Sequence, residues 1–336
     1  MYFRQVDEIN KQLEKTNKAI IALGCSFVQG QGAVNDELYL QYKWHTGDLG
    51  KPLDIQISAQ EQADILKKYP SVTRGPDGKL DFTFMEYDNA FVNVLCKKYF
   101  NNEYVPINLG IRGCGNRATI KELYFRPEIN WDKIKEIIVI YCPSGIERFD
   151  FVSDGWHEHF HWKAMWPHYE NIEPSARQKL WEGYGKSVWS EKSGTIEQIA
   201  NVQELMTWCK HKNAKLIITP GFDRRYTKKD FEQSLKLEID RSFDGDIISQ
   251  KSSFLLGKEK ADLMNLWPWD DMFKPGGHNT FVDLTMAQEK TLDSNEHFFQ
   301  FLGSGSPDKW ITPCSHPSAK AHDLFAREIF KHIKGL

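Results

Sequence analysis

Four short apolar runs, far apart in the chain, have the character of β-strands that are buried on both faces. They cover residues 18–24, 105–109, 136–141 and 215–219. Continuous apolar strands are typical of parallel sheets, because helices cover both faces of such a sheet. Apolar residues at helical spacing separate the runs, for example between residues 84 and 99. The alternation predicts an α/β domain in which right-handed crossovers join parallel strands in a three-layer, doubly wound arrangement.

The chain of 336 residues is predicted to form a single domain, residues 1–336, since no Pro/Gly/Ser-rich linker marks a boundary. Two large insertions interrupt the strand and helix pattern, at about residues 150–192 and 222–310, and we expect them to form a cap over the strand ends. Both are rich in Trp, Tyr and Phe. Such side chains fill the cores of insertions and also stack on sugar rings, and the pattern favours neither role.

Local signals predict where two of the helices begin. The segment Thr195-Ile-Glu-Gln198 has the form of a capping box and predicts a helix from there to about residue 210. Pro317 is expected in the first turn of a final helix, whose apolar face repeats through Leu324, Phe325 and Ile329. Residues 27–83 are polar and interrupted by Gly and Pro, which predicts a long excursion on the surface.

Charge and cysteine content exclude several classes of partner. The net charge of −3 gives no indication of a nucleic acid or membrane-surface partner. The first residues lack the apolar core of a signal peptide, and no apolar run approaches the length of a membrane span. The six cysteines form no Cys-x-x-Cys pair, so a zinc ribbon or thioredoxin motif is not indicated. We therefore expect a soluble protein that is made in the cytoplasm and has reduced thiols.

Three residues that could take part in catalysis lie next to predicted strands or a predicted helix. Ser26 follows the first strand, a glycine turn with Gly113 follows the second, and His316 precedes the final helix. In a doubly wound sheet these loops open on one edge. A serine beside an imidazole can act as a nucleophile, and the amides of Ser26 and Gly113, with the Asn116 side chain, can hold an oxyanion. The alternatives are helix caps at Ser26 and Asn116, a purely structural turn and a surface histidine.

The three segments together resemble the SGNH (GDSL-type) hydrolase family. Gly24-Cys-Ser26 is similar to its first block, which usually reads Gly-Asp-Ser. Asn108-Leu-Gly-Ile-Arg-Gly113 resembles the second block, whose glycine supplies an oxyanion amide. Ser315-His-Pro-Ser-Ala-Lys-Ala-His322 resembles the last block, whose histidine is the base. Residues 141–149 occupy the third block and are similar to those of divergent bacteriophage-encoded members, which often carry Arg-Phe-acidic at this point.

The resemblance implies a flavodoxin-like fold and a serine esterase that acts on a small-molecule or glycan ester, with an O-acetylated carbohydrate as the expected substrate. Ser26 would attack and His316 would transfer the proton, with no cofactor. The alternative is a catalytically degenerate protein of the same fold that binds glycans or forms part of a phage virion. A nucleotide-binding domain is disfavoured, because residues 24–32 lack both the lysine of a P-loop and the dinucleotide glycine spacing.

The chain departs from the family pattern at two positions. Pro313 stands where the family has the aspartate that orients its histidine, and the third-block asparagine is absent, with Ser144 near that position. A proline cannot orient an imidazole as a carboxylate does. Asp308, Glu147 or a backbone carbonyl is therefore expected to contact His316 instead.

A histidine-rich string lies inside the first insertion. His157, His159 and His161 alternate along the sequence, so on an extended strand they would share one face. Three imidazoles on one face can hold zinc or a similar ion. The alternative is an irregular loop whose histidines lie on the surface or bind a polar substrate. No metal enters the leading interpretation.

Overall fold

A four-stranded parallel sheet forms the centre of the molecule, with its strands in the spatial order 105–108, 18–24, 136–142 and 215–218. The computed structural model describes residues 3–38, 58–75, 78–153, 161–165, 190–236, 257–290, 305–306, 308–312 and 315–336. The strands within these ranges are β1 (Lys18–Gly24), β2 (Thr73–Arg74), β3 (Leu80–Asp81), β4 (Val105–Asn108), β5 (Glu136–Cys142), β6 (Phe149–Ser153), β7 (His161–Met165) and β8 (Lys215–Ile218). All four strands predicted from the apolar runs belong to the central sheet.

Helices flank the sheet. They are α1 (Phe3–Leu13), α2 (Ser26–Gln29), α3 (Ala59–Lys68), α4 (Thr83–Asn89), α5 (Phe91–Val94), α6 (Asn116–Lys121), α7 (Glu191–Lys212), α8 (Lys228–Lys236), α9 (Gly257–Leu266), α10 (Phe281–Met286) and α11 (Ala319–Lys334). A π-helical turn, Leu95–Tyr99, follows α5 directly. None of the helices in the described ranges is both long enough and apolar enough to cross a membrane.

Each face of the sheet has its own hydrophobic core. Ile21 and Leu23 of β1 pack with residues of α1, α6 and α7 on one face, whereas Ile20 and Ala22 pack with residues of α5, α10 and α11 on the other. These side chains are fully buried, which explains why the strand reads as a continuous apolar run. The predicted α/β class, with a parallel sheet between helices, is confirmed.

The strand order creates a crevice at the carboxyl ends of β1 and β5. The chain runs from β1 to β4 through α5 on one face and from β4 back past β1 to β5 through α6 on the other. Open α/β sheets bind ligands where the crossovers change face in this way. Gly24 ends β1 beside Cys142 of β5, and a Cβ on Gly24 would lie 2.6 Å from the Cys142 carbonyl oxygen. Glycine is therefore required for this close approach.

Two predicted helix starts are wrong by a few residues. Helix α7 begins at Glu191, where Ser190 and Ser193 form a reciprocal capping box. Thr195 lies inside the helix, and its buried hydroxyl pairs with that of Ser234 at 2.7 Å. The earlier serine pair satisfies the orphan N–H groups, so the Thr195 signal is not used. Pro317 precedes α11 and forms a bridge with Ile311 instead of the first helical turn.

Residues 27–83 were predicted to be a surface excursion, but their described parts build a small core of their own. It consists of Val34, Leu38, Ile65, Val72, Leu80 and Phe82, with Met85 from α4. These apolar residues follow no single period, which explains why the pattern did not reveal them.

The described parts of the two predicted insertions include elements that contact the main body. Strands β6 and β7 form an antiparallel hairpin at the start of the first. Phe231 of α8, Met264 of α9 and Phe281 of α10, all from the second, are buried in the cores of the central domain. The expected cap stays a prediction, since large parts of both insertions lie outside the described residues.

Candidate active site

Ser26 and His316 meet in the crevice between β1 and β5. The Ser26 Oγ and the His316 Nε2 are 2.7 Å apart, although the two residues are 290 positions apart in sequence. Ser26 is buried, with 6% of its surface exposed, and His316 is half-buried. A general base must lie within about 2.6–3.2 Å of the proton that it removes, and this pair meets that requirement.

The local backbone presents Ser26 at the first position of a single helical turn. Strand β1 ends at Gly24, Cys25 is extended as the N-cap, and α2 begins at Ser26. The N–H groups of Val28 and Gln29 donate to the Cys25 carbonyl at 3.0 and 3.1 Å. The N–H group of Ser26 precedes the first hydrogen bond of the helix and has no acceptor within it. The Ser26 amide is thus available to a bound oxygen.

A tight turn holds the backbone of His316. The Thr312 N–H and Oγ1 both donate to the His316 carbonyl, at 2.8 and 2.9 Å, and the Ser315 N–H donates to the Thr312 carbonyl at 2.8 Å. Ser315 adopts a left-handed conformation with φ 62°, which closes the turn. The imidazole also packs on the Phe27 ring, with centroids 5.1 Å apart. The position of His316 is therefore set by its own loop and by packing.

Aromatic side chains line the wall beside the pair. The Phe27 ring contacts Phe222 at a centroid distance of 5.1 Å, and the Arg148 guanidinium lies 5.0 Å from the Phe222 ring centre. Phe27 belongs to an apolar cluster with Cys25, Cys114, Ala118 and Val282. Electrostatic interactions in such water-poor surroundings are stronger than in bulk solvent.

Asn108 joins the second motif loop to the serine helix. Its Nδ2 donates to the Val28 carbonyl at 3.0 Å, and its Oδ1 accepts from the Gly110 N–H at 3.0 Å. A Cβ on Gly110 would lie 2.4 Å from the backbone nitrogen of Gln29, so the loop rests directly on α2. No role for Asn108 is predicted from the sequence. The available signal was a polar residue that ends an apolar strand.

The Gly113 turn offers an unpaired amide. Gly113 has φ 67°, and no atom lies within 4 Å of a Cβ built there, so the position faces open space. Its N–H has no acceptor among the described residues. The turn is attached to the sheet by Ile111, whose N–H donates to the Gly24 carbonyl at 3.0 Å. Gly113 thus has the exposure that an oxyanion-binding amide needs.

Asn116 has another role than the predicted oxyanion donor. Its Nδ2 donates to the Ser144 carbonyl at 3.2 Å and to the Tyr226 hydroxyl at 2.9 Å, while its Oδ1 accepts from the Ser144 N–H at 2.6 Å. Both amide hydrogens are therefore used. The buried side chain braces the loop after β5.

The two carboxylates proposed to orient His316 have other partners. Asp308 accepts from the Lys290 N–H at 2.8 Å, and Glu147 forms an ion pair with Arg225. Neither has His316 among its contacts in the described part of the chain. Asp308 lies close in sequence to Pro313, the family's aspartate position, but this closeness does not bring its carboxylate to the imidazole. The prediction that one of them replaces the missing aspartate finds no support in this geometry.

Substitution of these carboxylates is expected to leave catalysis nearly unchanged. We expect Asp308→Asn and Glu147→Gln each to alter kcat for an ester by less than about threefold, because neither touches the reacting pair. Steady-state kinetics on the two purified variants will test this expectation. A tenfold loss with an unchanged thermal midpoint would return one of them to the role of orienting acid.

The last motif contains a second histidine, His322, which has a structural role. His322 is fully buried, and its Nδ1 accepts from the Phe91 N–H at 3.1 Å. Burial, together with the nearby His316, lowers the pKa of His322 to about 3. His322 is therefore neutral at physiological pH, and of the two histidines only His316 faces Ser26.

Two thiols near the site, those of Cys114 and Cys142, are protonated. Burial raises the pKa of Cys114 and of Cys142 well above the usual range, and both are fully buried. A thiol must lose its proton to act as a nucleophile, so these cysteines do not compete with Ser26.

The structure does not test the predicted role of the histidine-rich string. His157 and His159 fall outside the described residues, and of His161 only the backbone in β7 is described. Within the described ranges no group of three or more His, Cys, Asp or Glu side chains is arranged to hold a metal ion. The metal interpretation of the string stays a prediction.

No protein-family model matches this chain, and no curated protein is significantly similar to it.

Proposed function

We propose that this protein is an SGNH-type serine hydrolase that cleaves a carboxylic ester by acyl transfer through Ser26 and His316. The observation that carries the proposal is the 2.7 Å contact between the Ser26 Oγ and the His316 Nε2. Its position at the carboxyl ends of β1 and β5, where doubly wound sheets bind ligands, adds support. The unpaired Gly113 amide supplies a further element of the same chemistry.

The mechanism uses only groups of the chain and water. His316 Nε2 accepts the hydroxyl proton while the Ser26 Oγ bonds to the ester carbonyl carbon, and the carbonyl π electrons move to its oxygen. The N–H groups of Ser26 and Gly113 donate to that oxyanion. Collapse of the intermediate expels the alcohol, which takes the proton from His316. Water then attacks the acyl-enzyme with the same base and releases the acid and free Ser26.

A degenerate binding protein on the same fold is the competing hypothesis. Such proteins lose the nucleophile, its base or the contact between them, whereas here both residues are present and in hydrogen-bond reach. That contact favours an enzyme. The acetylated-carbohydrate part of the prediction rests on aromatic residues of the insertions that lie largely outside the described residues, so the proposal is made for ester hydrolysis.

An active-site-directed probe tests the proposal without knowledge of the natural substrate. A fluorophosphonate should phosphonylate Ser26, with fluoride as the leaving group, and mass spectrometry should locate the adduct on the Ser26 peptide. His316→Ala should suppress the labelling, because the hydroxyl then has no base. p-Nitrophenyl acetate should be hydrolysed by the same preparation. A folded wild-type protein that neither labels at Ser26 nor hydrolyses any ester would support the binding hypothesis.

A further inference from the structure

Asp150 is a buried carboxylate that the proposed mechanism does not use. It lies on β6, is 2% exposed, and accepts two backbone N–H groups. Its Oδ1 accepts from Gly115 at 2.6 Å and its Oδ2 from Ala118 at 2.9 Å. A buried carboxylate is costly unless it is well paired. Its partners are the amide of Gly115, the N-cap of α6, and the amide of Ala118, the third residue of that helix, directly after the Gly113 turn.

Arg148, the residue directly before β6, also binds the segment that follows Gly113. Its Nη1 donates to the Cys114 carbonyl at 2.9 Å. A Cβ on Gly115 would lie 2.6 Å from the Asp150 Oδ2, so glycine is needed for the carboxylate to come this close. The start of the β6–β7 hairpin thus contacts residues 114, 115 and 118.

The Gly113 turn is held by contacts on both sides of the glycine, and the Arg112 guanidinium also binds the side chains of Gln29 and Glu86. On one side the Ile111 N–H bonds to the Gly24 carbonyl, and on the other Gly115 bonds to Asp150. The direction of the Gly113 amide therefore depends on the backbone attachments at Ile111 and Gly115 as well as on the Arg112 contacts. An oxyanion donor must be fixed in direction before reaction in order to be effective.

We propose that Asp150 is a positioning residue that fixes the Gly113 amide toward the oxyanion, with Arg148 holding the adjoining carbonyl. The proposal rests on the proposed function, since it concerns the same site. It assigns the β6–β7 hairpin a direct part in setting the catalytic turn. Asp150 acts through Gly115 and does not itself touch the substrate.

The charge state of Asp150 gives the proposal a pH signature. Burial raises the pKa of Asp150 to about 6, against the opposing effect of its two amide bonds and of nearby arginines. A protonated carboxyl turns one oxygen into a donor, so one of the two amides loses its acceptor as the pH falls below about 6. The titratable and charged groups that face Asp150 are Arg148, Arg117, Glu197, Cys114 and Tyr141.

The test compares wild type and Asp150→Asn over a range of pH. Above pH 7 we expect the variant to lower kcat by about 10- to 100-fold and to change KM by less than about twofold, because an oxyanion donor acts mainly in the transition state. Near pH 5 the wild-type carboxyl is also neutral, so the ratio of the two kcat values should approach one. The ratio removes any effect of pH on kcat that the two proteins share.

Asp81→Asn provides a matched control. Asp81 also accepts a backbone N–H at the start of a helix, from Thr83 of α4 at 2.9 Å. It should leave kcat within about twofold at every pH, because within the described residues the hydrogen bonds of its side chain go to Thr83 alone and not to the reacting pair or the Gly113 turn. Circular dichroism of all variants at pH 5 and pH 8 verifies that each remains folded.

Gly115→Ala disturbs the same contact between Gly115 and Asp150 by changing the glycine instead of the carboxylate. The new methyl group displaces the Asp150 side chain and keeps its charge, and it should lower kcat to a similar extent. It replaces Asp150→Asn if that variant does not fold. A folded variant with wild-type kcat, or a kcat ratio that does not change with pH, overturns the proposal for Asp150. A wild-type protein without Ser26-dependent turnover overturns the proposed function instead.

Discussion

Replacement of Ser26 by alanine is expected to lower kcat for ester hydrolysis by about 10³-fold or more. The Ser26 Oγ is the atom that His316 contacts at 2.7 Å, and the described site offers no second hydroxyl in that position. His316→Ala should cost a similar factor. The double variant should lose little more, because a nucleophile without its base and a base without its nucleophile are equally ineffective. Stopped assays with p-nitrophenyl acetate can measure all three variants.

Ser318→Ala is the matched control for this series. Ser318 is another buried serine of the last motif, and its hydroxyl has no partner in the described part of the chain. We expect its removal to change kcat by less than about twofold. Residual activity of Ser26→Ala within tenfold of wild type would mean that hydrolysis proceeds elsewhere on the protein.

Gly110→Ala is expected to have the second largest effect. The added Cβ would lie 2.4 Å from the backbone nitrogen and 2.9 Å from the Cα of Gln29, and backbone cannot rotate away as a side chain does. Either α2 or the second motif loop must move, and both carry groups of the site. A displacement near 1 Å costs about 100-fold in rate when it separates reacting groups. Overpacking of this kind also lowers the unfolding free energy by about 1–3 kcal/mol.

Gly78→Ala separates this steric effect from the general cost of replacing a glycine. Gly78 has φ 78°, and a Cβ there meets nothing within 4 Å. The substitution should cost about 1 kcal/mol of unfolding free energy through backbone strain and leave kcat unchanged. Thermal unfolding and steady-state kinetics, measured together on both variants, make the comparison. Wild-type kcat in Gly110→Ala would show that the contact between this loop and α2 is unimportant for catalysis.

The strands could be predicted well from sequence, and the helix starts less well. The bounds of β1 agree with the apolar run at residues 18–24, because burial on both faces leaves a signal in every residue of the strand. The start of α7 could not be decided in the same way. Two cap signals occur within one turn and a half, and only the folded chain shows that Ser190 is used while Thr195 is buried.

Some residues of the site could likewise be predicted from the sequence, and others could not. Ser26, Gly113 and His316 could be placed from motif residues that follow strands or precede a helix. The roles of Asn116, Asp308 and Glu147 could not, because the partners of a polar side chain depend on which loops the tertiary fold brings beside it.

Asp150 was missed, although its signal was present. It completes an Arg-Phe-Asp string whose first two residues end the third motif block, and the pattern gives the acid no evident function. Two charged residues of opposite sign beside a motif loop are a reason to expect contacts with the backbone of that loop. Their actual target, the amides of Gly115 and Ala118, lies more than thirty positions earlier in the chain.

The distance of 290 positions between Ser26 and His316 has a consequence for how this protein matures. The ribosome makes β1 long before the imidazole, which arrives only with the segment before α11. That helix also covers the face of β1 that carries Ile20 and Ala22. Contacts between such distant segments form late and slowly in folding, because a long chain must close first. A nascent chain therefore has a serine without its base until the segment before α11 has been made and packed, and recovery of turnover during refolding reports that step.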